Sequence, residues 1–456
     1  MRAPVTLGIV TRGRPDSLRA CIESHVACAR RFGRDIEVLV VDDSDDDDTR
    51  TFALSRALRR EGIPVRWIGH EVREVLVDHL ASCGASRVGA TLAVTRTSRR
   101  ANMTGAARNA LLLLTVGQRL VLTDDDVVCA PDRDLERGAG EPLLSSSDDP
   151  TTTRLLASEE EIAPARDDVD VFGAYEAALA VPAMACVMPG LRGGSGIGLR
   201  YRRLLDGADE LARAASYTAL AESDLVHRAP TRTTWMTGAW GFGAHLGVDN
   251  RQPLPPFAPE GRNQDGVFFA LRCRLLTQTL VTVLPFTMRH GPTAPMARDH
   301  IVDTAGCLRP NDFVVDRVLR MPITSRGASL EGRVGVLGRH LVALARSDGF
   351  EASFLEWLNV AHAEERDRVD LALARVDATR RPELAHDLTE IRARLQHLAL
   401  AKAPDRDVLD AVHTQLVRVG ALLAHWPVLR TAAARASTRF AAKAASAQLQ
   451  MTPRFS

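Results

Sequence analysis

The sequence predicts an α/β fold followed by an α-helical domain, and three patterns indicate this. Strand and helix signals alternate through the first 130 of the 456 residues, as in a layered α/β fold. Several strand signals are unbroken apolar runs, which is typical of parallel strands buried on both faces. From about residue 330 onward, apolar residues recur with helical spacing instead. A chain of this length can form two or three domains whose cores need no disulfide bonds.

The elements of the α/β part follow from local patterns. VTLGIVT (5–11) is a β-rich apolar run that ends at the turn Arg-Gly-Arg-Pro. Apolar residues then recur at helical spacing from Leu18 to Phe32, with Pro15 near the helix start. The next elements are the strand IEVLVV (36–41), the strand VRWI (65–68), a helix through AARNALLLL (106–114) and the strand RLVLT (119–123).

Beyond residue 130 the character of the sequence changes. Residues 132–170 are polar, acidic and rich in turn formers, which predicts a long polar insertion. The α/β pattern then resumes and ends near His290. Its glycine-rich stretch GGSGIG (193–198) is not a dinucleotide fingerprint, because counting from Gly194 the third glycine would fall on Leu199. It predicts a substrate loop or a plain turn.

The whole chain therefore divides into three predicted parts. These are an α/β domain over residues 1–300, a linker over 301–329 and a helical accessory domain over 330–456. The helical part contains an apolar seam with steps of four and three residues, formed by Leu384, Leu388, Ile391, Leu395 and Leu398.

Composition argues against several classes of protein. Lys and Arg number 58 and Asp and Glu number 57, so the net charge of +1 gives no general attraction to nucleic acid or membranes. The seven cysteines form no Cys-x-x-Cys motif, which favours a reducing compartment. The start, MRAPVTLGIVTRGRP, lacks the apolar core of a signal peptide, and no stretch reaches the roughly 20 apolar residues of a spanning helix. We expect a soluble cytoplasmic protein.

The carboxyl-terminal segment is more basic than the rest of the chain. No acidic residue follows Asp410. The basic residues after it are Arg418, Arg430, Arg435, Arg439, Lys443 and Arg454. A solvated helix face is one interpretation, and peripheral contact with an anionic membrane or an acidic partner is the alternative.

The most distinctive stretch is RLVLTDDDVVCAP, in which an apolar strand ends in Asp124, Asp125 and Asp126. Along an extended backbone, Asp124 and Asp126 face one way and Asp125 the other. The carboxyl ends of parallel strands are where α/β sheets bind ligands. Carboxylate oxygens suit Mg²⁺ or Mn²⁺, which often complete their shell with phosphate oxygens. The triplet predicts a divalent metal that carries a diphosphate, although Asp-rich turns also simply end strands.

A second acidic cluster ends the second strand, in VLVVDDSDDDD (38–48). Asp42 and Asp43 stand at the carboxyl end, where a carboxylate can accept hydrogen bonds from a nucleobase or a ribose hydroxyl. A calcium loop that starts at Asp43 is excluded, because its sixth position is Asp48 rather than glycine and its twelfth is Leu54 rather than glutamate. The later aspartates indicate a solvated turn and the start of the next helix.

Four motifs follow one another in the first 130 residues. They are LGIVTRGRPDSLRACIES, VLVVDDSDDDD, GAARNALLL and VLTDDDV. Together they resemble the opening of family-2-type glycosyltransferases with the GT-A fold, a Rossmann-like mixed sheet. That family has a strand, turn and helix, an acidic pair, a G-x-x-R-N helix and a DxD motif in this order. The resemblance resumes over TTWMTGAWGFGAHLG (233–247) and LPPFAPEGRNQDGVFFALRC (254–273).

Carried over position by position, the resemblance implies a donor site at the sheet edge. Thr11 with Asp42 or Asp43 would hold the nucleoside, and Arg108 in GAARN would contact the donor near its base or its diphosphate. The donor would be a nucleotide-diphosphate sugar, with a UDP-sugar favoured because UDP is the commonest choice in the family. The implied cofactor is Mn²⁺ or Mg²⁺.

The resemblance also implies roles for the aspartate triplet. Asp124 and Asp125 would contact the ribose or the sugar, and Asp126 would coordinate the metal, with Asp124 as a second ligand. His290 in MRHGP stands where some GT-A enzymes have a third metal ligand, although one histidine in a loop is more often structural. The metal would neutralise the leaving diphosphate.

Catalysis and acceptor binding are assigned in the same way. Asp265 in RNQDG falls at the position of the family's catalytic base, where the family more often has Glu-Asp and Gln264 here replaces the Glu. A general base on the face opposite the leaving group would take the acceptor's proton, and one direct displacement would invert the anomeric centre. Trp240 and Gly238 in MTGAWGFG would bind the acceptor, with packing in the core as the alternative for Trp240.

Two other functions compete with this one. A sugar-nucleotide nucleotidyltransferase needs a glycine-rich loop after its first strand, and here Ile9 and Val10 precede Thr-Arg instead. A catalytically inactive GT-A binding module is disfavoured, because Asp124, Asp126 and Asp265 occur together. Processive polysaccharide synthases carry membrane helices and a Q-x-x-R-W motif, which this sequence lacks. We expect a soluble hexosyltransferase that adds one sugar to a peptide, small molecule or glycan and binds no nucleic acid.

Overall fold

The computed structural model describes most of the chain. The described ranges are 5–45, 49–95, 104–132, 140–146, 149–161, 166–196, 200–291, 297–321, 329–399 and 405–450. The strands in these ranges are β1 (Val5–Thr11), β2 (Ile36–Asp42), β3 (Val65–Ile68), β4 (Arg119–Asp124), β5 (Val127–Asp132), β6 (Leu143–Ser145), β7 (Thr152–Leu156), β8 (Met184–Gly194), β9 (Leu225–Ala229), β10 (Thr234–Met236), β11 (His245–Asp249) and β12 (Leu280–His290).

The helices in the described ranges pack around these strands and extend beyond them. They are α1 (Pro15–Arg31), α2 (Arg50–Arg60), α3 (His70–Ser82), α4 (Arg87–Val94), α5 (Thr104–Leu114), α6 (Val171–Ala178), α7 (Tyr201–Asp206), α8 (Ala208–Arg213), α9 (Tyr217–Glu222), α10 (Gln264–Leu275), α11 (Arg298–Asp303), α12 (Pro310–Arg320), α13 (Leu330–Ala345), α14 (Phe350–Leu373), α15 (Pro382–Ala399) and α16 (Arg406–Gln450), with a short 3₁₀ helix at Glu159–Glu161.

One mixed sheet organises the molecule. In the described residues its strands run in the order β3-β2-β1-β4-β11-β8-β12-β10-β6, while β5 pairs with β12 and β9 with β7 and β8. β3, β2, β1 and β4 are parallel, and β11 is antiparallel to β4. Thr11 lies opposite Asp42 and Val10 opposite Asp124, so the carboxyl ends of β1, β2 and β4 meet at one edge. The predicted α/β fold with a helical carboxyl-terminal region is confirmed.

Both faces of the parallel half are covered by helices. Leu7 and Ile9 of β1 pack into the core beneath α1, whereas Val10 packs into the core beneath α5. Gly8 lets α5 lie close to β1, since a Cβ at this position would be 2.9 Å from the Leu111 side chain. This two-sided burial explains why the strand sequence shows no polar alternation.

The predicted polar insertion, residues 132–170, contains two strands of the sheet, β6 and β7. β7 pairs with β9 from Thr152 opposite Ala229 to Leu156 opposite Leu225, and Leu156 is buried. β6 pairs in parallel with β10 at the end of the sheet. Thr152, Thr153 and Arg154 in the first half of β7 are exposed, whereas Leu155 and Leu156 are buried.

The predicted linker, residues 301–329, contains helices where it is described. These are the second half of α11 and all of α12. Phe313 of α12 is fully buried and makes edge contacts with Phe350, Phe354 and Trp357 of α14. Because α12 is short and mostly charged outside its buried side, its apolar pattern is too brief to distinguish it from a linker by sequence.

The helical region shares its core with the sheet domain. The predicted apolar seam forms the buried side of α15, which packs on α7 and α8. α16 lies against α3, α4 and α5, and Trp426 Nε1 donates to the Leu254 carbonyl at 2.7 Å. Gly89 of α4 permits this approach, because a Cβ there would lie 2.5 Å from the His425 ring.

Two of the six basic residues near the carboxyl terminus, Arg418 and Arg430, contact residues of the sheet domain. Arg430 is buried and donates to Asn250 Oδ1 (2.7 Å), the Asn250 carbonyl (3.1 Å) and the Gln252 carbonyl (2.8 Å). Burial lowers the pKa of Arg430 to about 10, so it stays charged at neutral pH. Arg418 forms an ion pair with Glu260. The side chains of the last three basic residues lie outside the described part, and membrane contact stays a prediction.

The length and the hydropathy of the helices show whether any of them could cross a membrane. In the described ranges, no helix combines the length and the apolar character that a bilayer crossing requires.

Replacing Arg430 with methionine should destabilise the whole protein, because three acceptors lose a buried charged donor. We expect the free energy of unfolding in urea to fall by about 3 kcal/mol. Arg435→Met, on the exposed side of the same helix, is the matched control and should change it by less than about 0.5 kcal/mol. A separate transition of the helical region in Arg430→Met, with the sheet domain unaffected, would contradict a shared core.

Candidate active site

The three predicted aspartates lie where β4 ends, and we call Asp124, Asp125 and Asp126 the acid turn. β4 ends at Asp124, and the next two residues form a turn that leads into β5. The Asp125 side chain is fully buried, while those of Asp124 and Asp126 are 26% and 23% exposed. The backbone is a turn rather than the predicted extended strand. Asp125 is therefore buried, whereas the other two side chains are partly exposed.

Asp125 is held from the β1 side of the acid turn. Thr11 Oγ1 donates to Asp125 Oδ2 at 2.6 Å, and Arg14 contacts the other oxygen. Arg14 also donates through Nη1 to Asp126 Oδ2 at 2.8 Å. Burial raises the pKa of Asp125 to about 7, and Arg14 and Thr11 oppose this shift because they stabilise the charged form. Thr11, predicted to hold the nucleoside, bonds to the acid turn in this structure.

Arg108 holds the other side of the acid turn. It is buried, and its Nη2 donates to Asp124 Oδ1 at 2.7 Å and to the Gly243 carbonyl at 2.8 Å. Its guanidinium carbon lies 5.5 Å from the centre of the Phe257 ring. Burial raises the pKa of Asp124, while the charge of Arg108 opposes that rise. The predicted donor contact of Arg108 would therefore lie beside Asp124.

The other residues of the GAARN motif fix α5 in place. Asn109 Nδ2 donates to the Phe257 carbonyl at 3.0 Å, and Asn109 Oδ1 accepts from the Phe257 N–H at 2.8 Å. A Cβ at Gly105 would lie 1.8 Å from the Ala258 carbonyl oxygen, so only glycine fits there. The motif therefore binds the backbone of residues 257–258, and the Arg108 side chain points to the acid turn.

Asp265, the predicted base, is connected to Arg108 through the backbone of Gly243. It lies in the first turn of α10, and its Oδ2 accepts from the Gly243 N–H at 2.9 Å. The carbonyl of the same Gly243 accepts from Arg108. Gln264, which replaces the family's Glu, can accept from Arg108 Nη1 at 3.1 Å and donate to the Gly261 carbonyl at 2.9 Å. Residues far apart in sequence are therefore joined through one glycine.

His290 reaches the acid turn from β12. Its Nε2 lies 3.5 Å from Asp126 Oδ1, and the Gly291 N–H donates to the Asp126 carbonyl at 2.7 Å. Asp126 Oδ1 and His290 Nδ1 are buried and have no hydrogen-bond partner in the described part of the chain. Gly194 brings β8 against this site, because a Cβ there would lie 2.2 Å from the Gly291 carbonyl oxygen.

The predicted metal ligands Asp124, Asp126 and His290 do not all point to one common position. Asp126 and His290 are in contact, whereas Asp124 is turned to Arg108. In the described residues, a group of three possible ligand atoms within 4.8 Å of one another is formed by His386, Asp387 and Glu390 on α15. His386 and Glu390 form a pair on the helix surface, and Asp387 accepts a hydrogen bond from Tyr217. These contacts explain why the three side chains are close together without a metal.

The acidic pair after β2 has a different environment. Asp42 is buried, and its Oδ1 accepts from the Ser44 N–H (2.9 Å) and hydroxyl (2.5 Å) while its Oδ2 accepts from Trp67 Nε1 (3.0 Å). Asp43 forms an ion pair with Arg73 at 3.0 Å. Arg73 is fully buried and also donates to the Asp42 carbonyl at 3.1 Å. Both aspartates are therefore oriented before any ligand binds.

The predicted acceptor residues lie in a different part of the fold. Trp240 is half-buried, packs edge-on against Phe242 at 5.6 Å and lies beneath the Arg228 guanidinium at 5.0 Å. The Gly238 carbonyl accepts from Arg272, which is fully buried. In the described residues neither Trp240 nor Gly238 contacts the acid turn, and their acceptor role stays a prediction.

Sequence reasoning missed two arginines of this site. Arg14 belongs to the Arg-Gly-Arg-Pro turn after β1, which was assigned only as a strand end. Arg73 stands among the buried positions of α3. A charged residue inside an apolar helical stripe is a usable signal, because such a residue is buried only when it is paired. The partners themselves come from distant segments and leave no local pattern.

A buried hydrogen-bond chain lies behind the acid turn. Tyr175 OH is 2.5 Å from His245 Nδ1, His245 Nε2 is 3.0 Å from His25 Nε2, and His25 Nδ1 is 2.7 Å from the Cys21 carbonyl. Since a carbonyl only accepts, His25 Nδ1 carries a hydrogen and its Nε2 accepts from His245. Both imidazoles are then neutral, in agreement with burial, which lowers the pKa of His25 to about 4 and holds that of His245 well below its ordinary value.

Comparisons with known proteins give only distant likenesses. No protein-family model matches the chain, and no curated protein is similar to it. Among solved structures, it is similar to S. aureus TarS residues 1–349 (12% identity, TM-score 0.35, over 87% of this chain and 90% of that one), which has also been solved in complex with UDP. It is likewise similar to the mannosyltransferase PcManGT from Pyrobaculum calidifontis, in complex with GDP-Man and Mn²⁺ (14% identity, TM-score 0.33, over 96% and 88%).

The neutral histidine pair predicts a pH-dependent stability. Between pH 6.5 and 4 the unfolded chain binds a proton on His25 that the folded chain does not, so stability is full above pH 6.5 and falls as the pH drops. The loss attributable to His25 should approach about 3 kcal/mol at pH 4. Urea unfolding at each pH measures it.

Two variants isolate this effect. His25→Gln can still accept from His245 and donate to the Cys21 carbonyl but does not titrate, so its stability should change less over this pH range. His397→Gln, at an exposed position on α15, should retain the wild-type pH dependence. Parallel pH curves for wild type and His25→Gln would show that His25 is not held neutral.

Proposed function

We propose that the protein is a metal-dependent glycosyltransferase that moves a sugar from a nucleotide-diphosphate donor to a nucleophile of an acceptor. The observation that carries this proposal is the junction at Gly243. Its carbonyl accepts from Arg108, which pairs with Asp124, and its N–H donates to Asp265. A donor-side carboxylate and a candidate base are therefore linked through the two backbone groups of one glycine.

The donor would lie along the shared edge of β1, β2 and β4. The nucleoside would meet Asp42 or Asp43, whose orientation is fixed by Ser44, Trp67 and Arg73. The diphosphate would then reach the acid turn, because β1 and β4 are adjacent and in register. We favour UDP as the nucleotide, and the transferred group would be a hexose.

The residues present fit a divalent cation at Asp126. Its Oδ1 is buried without a hydrogen-bond partner in the described residues, and His290 Nε2 faces it. A hard carboxylate oxygen and an imidazole nitrogen are both ligands that Mn²⁺ accepts. Asp126 and His290 would hold the ion, with Asp124 as a further ligand only if it leaves Arg108. Such an ion supplies charge neutralisation for the leaving diphosphate.

Asp265 would act as the general base, and the reaction would invert the anomeric centre. In its present position Asp265 accepts one hydrogen bond from Gly243 and one from the Gly266 N–H at 3.1 Å. These donors hold the carboxylate in one orientation. An acceptor hydroxyl would lose its proton to this carboxylate as the bond to the sugar forms.

The function is tested with a panel of nucleotide sugars and Mn²⁺ or Mg²⁺, scored by thermal stabilisation and by slow donor hydrolysis. We expect one nucleotide class to stabilise the protein only when metal is present. Pyrophosphate release from a nucleoside triphosphate and a sugar phosphate would support a nucleotidyltransferase instead. Donor binding without any hydrolysis or transfer would support an inactive binding module.

Two substitutions should separate catalysis from donor binding. Asp265→Asn should lower turnover by about 10²- to 10⁴-fold with donor affinity nearly unchanged, because only the proton acceptor is lost. Asp126→Asn should abolish metal-dependent donor binding itself. Asp410→Asn, at an exposed position of α16, is the control and should match wild type. Full turnover in Asp265→Asn would remove Asp265 from the reaction.

A further inference from the structure

Arg14 supplies positive charge to the acid turn in this structure. Its Nη1 donates to Asp126 Oδ2 at 2.8 Å, and its Nη2 contacts Asp125 Oδ1. The Arg14 side chain is 51% exposed, whereas Asp125 is fully buried. One half-exposed arginine therefore spans two of the three carboxylates, including the one that the metal would need.

We propose that Arg14 is an exchangeable counter-ion of the donor site, an inference that rests on the function proposed above. In the ligand-free protein Arg14 holds Asp125 and Asp126. When a donor binds, the divalent cation takes the place of Arg14 at Asp126, and Arg14 then binds the donor's diphosphate.

The balance of charge supports this exchange. The acid turn carries three carboxylates, and among the described residues the arginines in contact with it are Arg14 and Arg108. A divalent cation in place of Arg14 would bring the ionised turn to neutrality. The diphosphate then adds negative charge, and the displaced guanidinium is suited to it because arginine binds phosphate oxygens in a bidentate manner. The arginine and the metal therefore compete for Asp126, and the diphosphate favours the metal-bound state.

The backbone allows the side chain to move without rearrangement. Gly13 has a left-handed φ of 64°, and its N–H donates to Ser44 Oγ at 2.7 Å. Ser44 Oγ in turn donates to Asp42 Oδ1 at 2.5 Å. Pro15 begins α1 immediately after Arg14. Because both neighbours are fixed, the exchange requires rotation of an exposed side chain only, next to the aspartate pair proposed for the nucleoside.

Mn²⁺ binding to the ligand-free protein, followed by electron paramagnetic resonance, tests the exchange. Arg14→Gln should bind Mn²⁺ about tenfold more tightly than wild type, because the competing cation is gone. With Mn²⁺ saturating, the same variant should bind UDP or GDP, whichever wild type prefers, about tenfold more weakly. Arg19→Gln is the matched control, because Arg19 is an exposed arginine of α1 paired with Glu23 and Glu61. It should change neither affinity.

A second variant, Arg14→Lys, still tests the exchange if Arg14→Gln does not fold. Lysine keeps one charge but cannot bridge two carboxylates in the same fork geometry, so both affinities should fall between those of wild type and Arg14→Gln. Unchanged Mn²⁺ affinity in the folded variants, or unchanged nucleotide affinity, overturns the exchange. If wild type nevertheless binds Mn²⁺ and Asp126→Asn does not, the proposed metal site stands. If neither wild type nor any Arg14 variant binds Mn²⁺, both proposals fall.

Discussion

Three adjacent carboxylates at the end of β4 lie in surroundings where water reaches only part of them. Like charges at this spacing repel one another, and burial of Asp125 penalises its ionised form. Counter-charges and donors therefore have to be brought to the acid turn by other segments. Thr11 and Arg14 come from the end of β1, and Arg108 comes from α5. The placement of both segments against β4 follows from this need.

Strands β11 and β12 of the other half of the sheet also bring residues to the acid turn. β11 runs antiparallel to β4 and is preceded by Gly243, while β12 ends at His290 beside Asp126. Close approach is possible because glycine occupies the crowded positions. A Cβ at Gly243 would lie 2.4 Å from Arg108 Nη1, and one at Gly194 would meet the Gly291 carbonyl. Helix α16 packs on α3, α4 and α5, which in turn cover the parallel half of the sheet.

Local patterns were enough to predict β1 to β4, the position of the three aspartates after β4 and the GAARN helix, because each depends on neighbours in sequence. The site's connections were not predictable in this way. Arg14 and Arg73 were missed because their partners lie 112 and 30 positions away. α12 was taken for a linker because its buried side is short, and α16 was assigned to a separate domain although Trp426 and Arg430 bond to the sheet domain. Tertiary partners decide such cases, and one sequence does not reveal them.

The most direct test of the cation site is anomalous diffraction from a crystal of the protein soaked with Mn²⁺ and the preferred nucleoside diphosphate. We expect a single strong peak within coordination distance of the Asp126 carboxylate and His290, with the Arg14 guanidinium moved from Asp126 to the diphosphate. A peak found only at the His386–Glu390 pair of α15, with Arg14 still bound to Asp125 and Asp126, would contradict the assignment of the acid turn as the donor's metal site.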